Sequence, residues 1–297
     1  MLLVDLQKFT LFCFVFVLVM SSGIEGAVAS QQPSATAEAP QWSTEEGSNT
    51  ISSSSWPTKI VFSDVDGTLV HYPDNIPQTD DILALPPSST GMRAIISKET
   101  LRKCQAIRKS GRKLVLVSGM RTTTLLNRLP YLPRADAYCS EAGGRIFYPT
   151  ECNNDDANQV RIEPAAYEDA TNDELVPFSL TEDLEWRKNM ENAAGTDGFA
   201  GQELSDLSQG SKPLVPVSLR KGPLWDFARL LVSRGLVLDT KGYATSFRVT
   251  ANQQSEASMI PFRELQANAI PCPPAIETRT NLGSLDFYPA NSGKKKW

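Results

Sequence analysis

The sequence contains a single histidine, His71, among its 297 residues. This scarcity excludes a histidine-rich metal site and any Ser-His-Asp triad that does not use His71. An excess of positive charge is also absent, because 34 acidic residues outnumber 29 basic ones and give a net charge of −5. Proteins that coat nucleic acid rely on basic charge, so we expect no nucleic-acid partner.

Cysteine is sparse, and the four cysteines that follow residue 29 have no metal-like spacing. Two disulfides and buried free thiols remain as alternatives.

The composition of the chain indicates a folded protein with an uneven charge. Hydrophobic residues make up 41% of the sequence, which is enough for one or two packed domains. Residues 151–206 contain 15 acidic and 3 basic residues, whereas the segments on either side are mildly basic. A block of this kind indicates an insertion, and we expect its carboxylates to face solvent.

The N-terminal segment has the pattern of a secretory signal. Phe9–Met20 is a short apolar run, and Ala27-Val28-Ala29 provides a small-x-small cleavage site. A spanning helix needs about 20 apolar residues, so the pattern predicts a signal peptide over residues 1–29 and a secreted or lumenal protein with no stable membrane partner. The alternative is an uncleaved signal that anchors the protein in a membrane. Residues 30–56 are rich in Ser, Thr, Pro, Gln and Glu, which predicts a disordered linker.

Two aspartates follow the first predicted strand. Lys59–Ser63 is rich in β-branched and aromatic residues and leads into Asp64-Val65-Asp66-Gly67-Thr68. Side chains alternate along a strand, so Asp64 and Asp66 are expected to project from one side, at the edge where open α/β sheets bind ligands. Two carboxylates this close repel each other unless a cation lies between them. The alternative interpretation is an acidic surface turn after a strand.

This D-x-D-G-T stretch resembles the first motif of the haloacid dehalogenase superfamily of phosphohydrolases. The resemblance implies a Mg²⁺-dependent phosphomonoesterase that works through an aspartyl-phosphate. It implies that Asp64 is the nucleophile and a metal ligand. It also implies that Asp66 is the acid and base and binds the metal through its backbone carbonyl.

A second motif follows a predicted helix and strand. The spacing predicts a helix over Leu101–Ser110 and a strand over Lys113–Val117, which form one βα repeat of a parallel sheet. Ser118 and Gly119 follow the strand, and the resemblance implies that they bind phosphate, with Ser118 donating to a phosphoryl oxygen. Arg121 is expected to be a solvent-exposed residue at the start of a helix, with a contribution to the phosphate field as the alternative.

A third strand and an inserted unit are predicted next. Ala137–Cys139 reads as a strand, and the turn at Glu141 resembles the E-N-G-G/A turn at which large-cap members leave the core, with Ala in place of Asn. We interpret Glu141 as structural rather than catalytic. Pro223–Ser233 predicts an amphipathic helix, and Leu236–Leu238 is expected to pair with Tyr243–Val249. A helix with a hairpin is the α+β unit from which such caps are built.

The last segment resembles a third motif. Leu285–Pro289 is predicted to form a strand, and Lys294 lies five residues after Pro289. This spacing resembles the L-D-x-x-P-x-x-x-x-K stretch of sucrose-phosphatase-like members. The resemblance makes Lys294 the phosphate-binding lysine that neutralises the aspartate and the phosphate. A basic tail and a dilysine retrieval signal are the alternatives. None of the 18 glycines precedes an aspartate, so a G-D-x-x-x-D fourth motif is not found and we expect the chain to be C-terminally incomplete.

The expected fold is α/β, with a three-layer Rossmann-like core around a parallel sheet and an inserted α+β cap domain. The expected boundaries place the first part of the core at 57–146, the cap at 147–284 and the return to the core at 285–297. The expected function is hydrolysis of a small phosphorylated metabolite, with a sugar phosphate favoured. The alternative is a catalytically inactive remnant that binds phosphorylated ligands. The sequence leaves the oligomeric state open.

Overall fold

The structure is a computed structural model that describes residues 60–77, 79–88, 91–152, 159–167, 170–199, 203–208, 215–281 and 283–292. The predicted signal peptide, the predicted linker and Lys294 lie outside the described residues. No helix in these ranges is long and apolar enough to cross a membrane. The strands are β1 (Ile60–Asp64), β2 (Ile82–Leu85), β3 (Ala94–Ser97), β4 (Lys113–Val117), β5 (Ala137–Ser140), β6 (Arg145–Thr150), β7 (Val160–Ile162), β8 (Phe178–Glu182), β9 (Phe247–Thr250), β10 (Ile276–Asn281) and β11 (Ser284–Pro289). The helices are α1 (Lys98–Lys109), α2 (Thr122–Arg128), α3 (Asn172–Leu175), α4 (Leu184–Ala194), α5 (Leu204–Ser208), α6 (Pro223–Ser233) and α7 (Met259–Gln266).

The main sheet has six strands in the order β1-β4-β5-β6-β8-β7. The pairs β1–β4 and β4–β5 are parallel, whereas β6, β8 and β7 extend the sheet in antiparallel pairing. Helix α1 supplies the crossover between β1 and β4, and Ser97 caps its first turn by accepting from the backbone N–H of Thr100. The sheet therefore begins as the expected parallel core but is parallel over three strands only.

Helices cover both faces of this sheet. On one face, Leu101 of α1 and Leu125 of α2 pack with the buried side chains of Leu114 and Leu116 from β4. On the other face, Val117 and its neighbours pack against Trp186 of α4. Because successive residues of a strand point to opposite faces, β4 contributes to both apolar layers. The fold is thus α/β with three layers, as the sequence predicts.

A second unit, residues 215–281 and 283–292, has its own sheet and core. Its three strands pair in the order β10-β11-β9, and both pairs are antiparallel. Helices α6 and α7 pack on this sheet, where Phe227 and Phe262 meet Phe247 and Phe287 in one buried cluster. Helix α6 spans the predicted residues Pro223–Ser233. The predicted hairpin before β9 is reduced to a single bridge between Asp239 and Arg248.

Two sheet assignments differ from the expected boundaries. Strands β6, β7 and β8 continue the main sheet, although residues 147–284 were expected to form the cap. Strand β11 contains the predicted strand Leu285–Pro289, but it lies between β9 and β10 and does not return to the main sheet. An apolar strand sequence is compatible with any sheet in which its side chains are buried. The sequence therefore predicts the strand but not the sheet to which it belongs.

The acidic block also differs from the expectation that it faces solvent. Glu182 is buried and forms a bidentate ion pair with Arg145, with both N–O distances at 2.7 Å. Glu174 is buried beside Arg108, at 3.1 Å. Burial of these carboxylates is tolerated because arginine satisfies them. The four cysteines in the described residues are free, with Cys104 and Cys139 buried.

Candidate functional site

Asp64 is the last residue of β1, where a tight turn begins. Its Oδ1 accepts a hydrogen bond of 2.8 Å from the backbone N–H of Val65. The chain then folds back, and the carbonyl of Val65 accepts from the N–H groups of Leu69 and Val70. Gly67 takes a φ of +78°, a conformation that costs glycine little. The turn therefore needs the glycine of the D-x-D-G-T stretch, and it fixes Asp66 just beyond the strand.

Strand β4 brings Ser118 to the same edge of the sheet. β1 and β4 are parallel, and Asp64 pairs in register with Val117, so Ser118 and Gly119 follow directly beside the end of β1. Ser118 is fully buried, and its Oγ donates to Oδ2 of Asp66 at 2.5 Å. Two segments 52 residues apart are thus joined through Asp66 and Ser118.

Sequence reasoning missed two residues that contact Asp66. The Tyr72 hydroxyl donates to Oδ1 of Asp66 and accepts a hydrogen bond of 2.7 Å from Nη1 of Arg128. Nη1 of Arg128 also lies 3.6 Å from Oδ1 of Asp66. Tyr72 follows the turn, and Arg128 ends α2, so neither residue has a motif-like spacing to Asp66 that could have revealed it.

Burial controls the protonation of Tyr72. It raises the pKa of the Tyr72 hydroxyl well above its usual value, and the charge of Asp66 acts in the same direction. The charge of Arg128 opposes these effects but does not reverse them. Tyr72 therefore keeps its proton at ordinary pH and remains a hydrogen-bond donor.

Arg121 was expected to be exposed, and this expectation is wrong. Arg121 precedes α2, is 9% exposed, and forms an ion pair with Asp239 of the second unit. Its guanidinium also stacks over the ring of Tyr243, at 4.9 Å from the centroid. The partners lie more than 100 residues away in sequence, so the local pattern gave no sign of them. Arg121 therefore joins the edge of the main sheet to the second unit.

The other predicted residues have different placements. Glu141 follows β5, is fully buried and bonds to the second unit, which supports the structural interpretation. Lys294 lies outside the described residues.

The described residues provide few side chains that could hold Mg²⁺. They contain no group of three or more His, Cys, Asp or Glu side chains able to hold a metal ion. Both side-chain oxygens of Asp66 accept from hydroxyl groups. The carboxylate of Asp64 and the backbone carbonyl of Asp66 are oxygen ligands of the kind that Mg²⁺ prefers. Mg²⁺ commonly completes its coordination with several waters, so this donor set fits the ion in kind.

Comparisons with known proteins give only distant likenesses. No protein-family model matches the chain, and no curated protein matches it in sequence. Among solved structures, a trehalose-6-phosphate phosphatase from Aspergillus fumigatus is 13% identical, with a TM-score of 0.27 over 77% of this chain and 60% of that one. The alignment thus spans less than two thirds of that phosphatase.

Two further structures are similar at the same level. One is a member of a phosphoryl-transfer superfamily whose structures show conservation of a trigonal-bipyramidal intermediate. It is 13% identical, with a TM-score of 0.31 over 81% of this chain and 73% of that one. The other is a hypothetical protein from Geobacillus kaustophilus, 14% identical, with a TM-score of 0.28 over 80% of this chain and 72% of that one. At these scores the likenesses carry no argument about activity or substrate.

Proposed function

We propose that this protein hydrolyses phosphate monoesters, with Asp64 as the nucleophile and Asp66 as the acid and base. The observation that carries the proposal is the hydrogen bond from Ser118 to Asp66 at the edge of the main sheet. It brings together two segments, one after β1 and one after β4, that separately resemble phosphohydrolase motifs. Their meeting at the carboxyl ends of parallel strands supports a shared ligand site.

The proposed reaction has two steps. First, a carboxylate oxygen of Asp64 bonds to phosphorus, the bond from phosphorus to the alcohol oxygen breaks, and Asp66 gives a proton to that oxygen. Second, Asp66 takes a proton from a water molecule whose oxygen bonds to phosphorus, the bond between Asp64 and phosphorus breaks, and inorganic phosphate leaves. We assign Ser118, Gly119 and Lys294 to binding the phosphoryl oxygens.

Mg²⁺ is the proposed cofactor, held by the Asp64 carboxylate and the Asp66 carbonyl. When bound, it neutralises charge on the transferred phosphoryl group. The proposed substrate is a small phosphorylated metabolite, with a sugar phosphate favoured. We propose that the second unit serves as the cap that excludes water and selects the substrate. The ion pair between Arg121 and Asp239 supports this role, because it joins the second unit to the residues that follow Ser118.

Hydrolysis of p-nitrophenyl phosphate by a full-length version of the protein tests the proposal. We expect turnover with Mg²⁺ and none after chelation with EDTA. Asp64→Asn should abolish turnover, because an amide is not a nucleophile toward phosphorus. Asp74→Asn is the matched control, since Asp74 is an exposed aspartate in the loop after the turn. Full turnover by Asp64→Asn would rule out the assigned nucleophile.

A second candidate function is binding of phosphorylated ligands without turnover. It is favoured by one observation, which is that both oxygens of Asp66 are already hydrogen-bonded within the protein. Calorimetric titration with inorganic phosphate distinguishes the two functions. Binding of phosphate by a chain that hydrolyses no ester would support the second candidate, whereas turnover abolished by Asp64→Asn would exclude it.

We propose that residues 1–29 direct the protein to the secretory pathway and are then removed. The support is the apolar run Phe9–Met20 followed by a small-x-small site. N-terminal sequencing of the protein from its native host is expected to begin at Ser30. A sequence that begins at Met1 or Leu2 would instead support the membrane-anchored alternative.

A further inference from the structure

The hydrogen bonds around Asp66 have defined directions. The Tyr72 oxygen accepts from Arg128, and arginine has no acceptor, so the Tyr72 proton points to Oδ1 of Asp66. The Ser118 oxygen accepts from the backbone N–H of Met120 at 3.0 Å, so the Ser118 proton points to Oδ2 of Asp66. Each hydroxyl is therefore oriented by an obligate donor, and Asp66 is the acceptor at both oxygens.

Arg128 faces Asp66 from a buried position. Its side chain is 2% exposed, and the guanidinium lies 5.4 Å from the centre of the Tyr72 ring. Nε and Nη2 of Arg128 have no hydrogen-bond partner among the described residues, and its ion pair is with Asp66. A buried guanidinium is costly unless a carboxylate compensates it. The pair of Arg128 and Tyr72 is thus directed at Asp66 rather than at a separate acidic partner.

The two oxygens of Asp66 have unequal surroundings. Oδ1 is held by Tyr72, which is half-buried and follows the turn, and by Arg128, which is buried at the end of α2. Oδ2 is held by Ser118, the residue that we assign to the phosphoryl group. A phosphoryl oxygen is a strong acceptor, so the Ser118 hydroxyl can donate its hydrogen bond to the substrate in place of Asp66. Tyr72 is not among the residues that we assign to the phosphoryl group, so its proton has no substrate oxygen to bond and stays directed at Oδ1.

We propose that Tyr72 and Arg128 are positioning residues that fix Oδ1 of Asp66 and leave Oδ2 as the oxygen that gives a proton to the leaving alcohol and later takes one from water. When the phosphate ester binds, the Ser118 hydroxyl donates its hydrogen bond to a phosphoryl oxygen instead of to Oδ2. Oδ2 then takes up a proton from solvent and gives it to the oxygen of the leaving alcohol. The inference rests on the proposed function, and it adds Tyr72 and Arg128 to the residues on which proton transfer depends.

Leaving-group dependence in Tyr72→Phe tests the proposal. p-Nitrophenolate leaves with little help from an acid, whereas the alkoxide of glycerol 2-phosphate requires a proton. We expect Tyr72→Phe to lower kcat/KM for glycerol 2-phosphate at least about tenfold more than for p-nitrophenyl phosphate, because a positioned acid contributes roughly 10²–10⁴-fold. Tyr148→Phe is the matched control, since the Tyr148 hydroxyl is an exposed donor to Asp183 at 3.3 Å. Equal losses on the two substrates would show a merely structural role and overturn the proposal.

A crystal structure of Tyr72→Phe separates this proposal from the proposed function. We expect the Asp66 carboxylate to rotate or to take a new donor at Oδ1. An unchanged carboxylate with nothing replacing the Tyr72 hydroxyl would overturn the positioning role, even if the wild-type chain hydrolyses neither ester. If wild type is inactive but Asp66 moves, the proposed function alone fails. Arg128→Lys serves where Tyr72→Phe does not fold, because it keeps the charge but alters the donor to Tyr72.

Discussion

The carboxylate of Glu141 holds Thr245 through two hydrogen bonds, one from its backbone N–H at 2.7 Å and one from its hydroxyl at 2.9 Å. The same oxygen accepts from the N–H of Ala244, while the other accepts from Thr122 at 3.1 Å. Glu141 follows β5 of the main sheet, and Thr245 precedes β9 of the second unit. One buried carboxylate therefore ties the second unit to the main sheet at the end of its parallel strands.

Glu141→Gln is expected to destabilise the protein. The amide places an NH₂ group where a carboxylate oxygen accepted hydrogen bonds, so at least one buried donor loses its partner. We expect the free energy of unfolding to fall by about 1–3 kcal/mol in urea denaturation. Glu264→Gln, at an exposed position of α7, is the control and should change it by less than about 0.5 kcal/mol. Similar small effects of both variants would contradict the anchoring role.

The turn that presents Glu141 is strained at the next residue. Ala142 has φ 59° and ψ 30°, in the left-handed region that favours glycine. That conformation costs an L-residue roughly 1–2 kcal/mol, a cost that glycine avoids. Part of this gain is lost in a glycine variant, because glycine loses more conformational entropy on folding. We expect Ala142→Gly to raise the free energy of unfolding by up to about 1 kcal/mol. Ala106→Gly, in the exposed face of α1, should lower it by about 1 kcal/mol, so opposite signs are the diagnostic result.

How far the fold follows from the sequence depends on the range of the interactions. β4 was predicted with its bounds, since Lys113 and the apolar run Leu114–Val117 come after a helix and a glycine. α6 was predicted because proline begins it and its apolar residues repeat at helical spacing. These signals are local. β11 pairs with β10 as a hairpin and with β9, which lies more than 30 residues earlier in the chain. The local sequence pattern of β11 does not specify which sheet it joins.

The candidate site shows the same limit. Asp64, Asp66 and Ser118 were found because chemistry-bearing residues follow apolar strands, and parallel strands bring their ends together. Tyr72 and Arg128 were missed because a single tyrosine and a single arginine without fixed spacing resemble ordinary surface residues. Their contacts with Asp66 form only when α2 packs against the turn after β1.

The buried pair of Arg145 and Glu182 gives a prediction about ion pairs. Arg145 is fully buried, and Glu182 also contacts Arg187 at 3.3 Å. Glu182→Gln removes the negative charge that faces the buried Arg145 guanidinium, so we expect a loss of about 3–5 kcal/mol in urea denaturation. Glu163→Gln makes the same change in the exposed pair with Arg161 and should cost at most about 1 kcal/mol. Equal costs would show that burial does not govern these pairs.

Two buried thiols predict a loss of stability at alkaline pH. Burial raises the pKa of Cys139 from 9.0 to about 12. Burial, assisted by the charge of Glu174, raises the pKa of Cys104 to the same value. Below pH 9 both thiols are protonated in the folded and unfolded states, so their contribution to stability is fully present. Above pH 9 the unfolded chain releases these protons while the folded protein keeps them, and unfolding becomes easier as the pH rises.

We therefore expect the free energy of unfolding to fall between pH 9 and pH 10 by up to about 1.4 kcal/mol per pH unit for each of these two thiols. The measurement is urea denaturation under reducing conditions at several pH values. Combining Cys104→Ala with Cys139→Ala removes both titrations, so the double variant should have a shallower dependence on pH, whatever its absolute stability. Cys152→Ala, at a partly exposed thiol, is the control for the loss of a cysteine side chain. If the double variant keeps the wild-type slope, other groups must account for the alkaline loss, and the buried thiols do not.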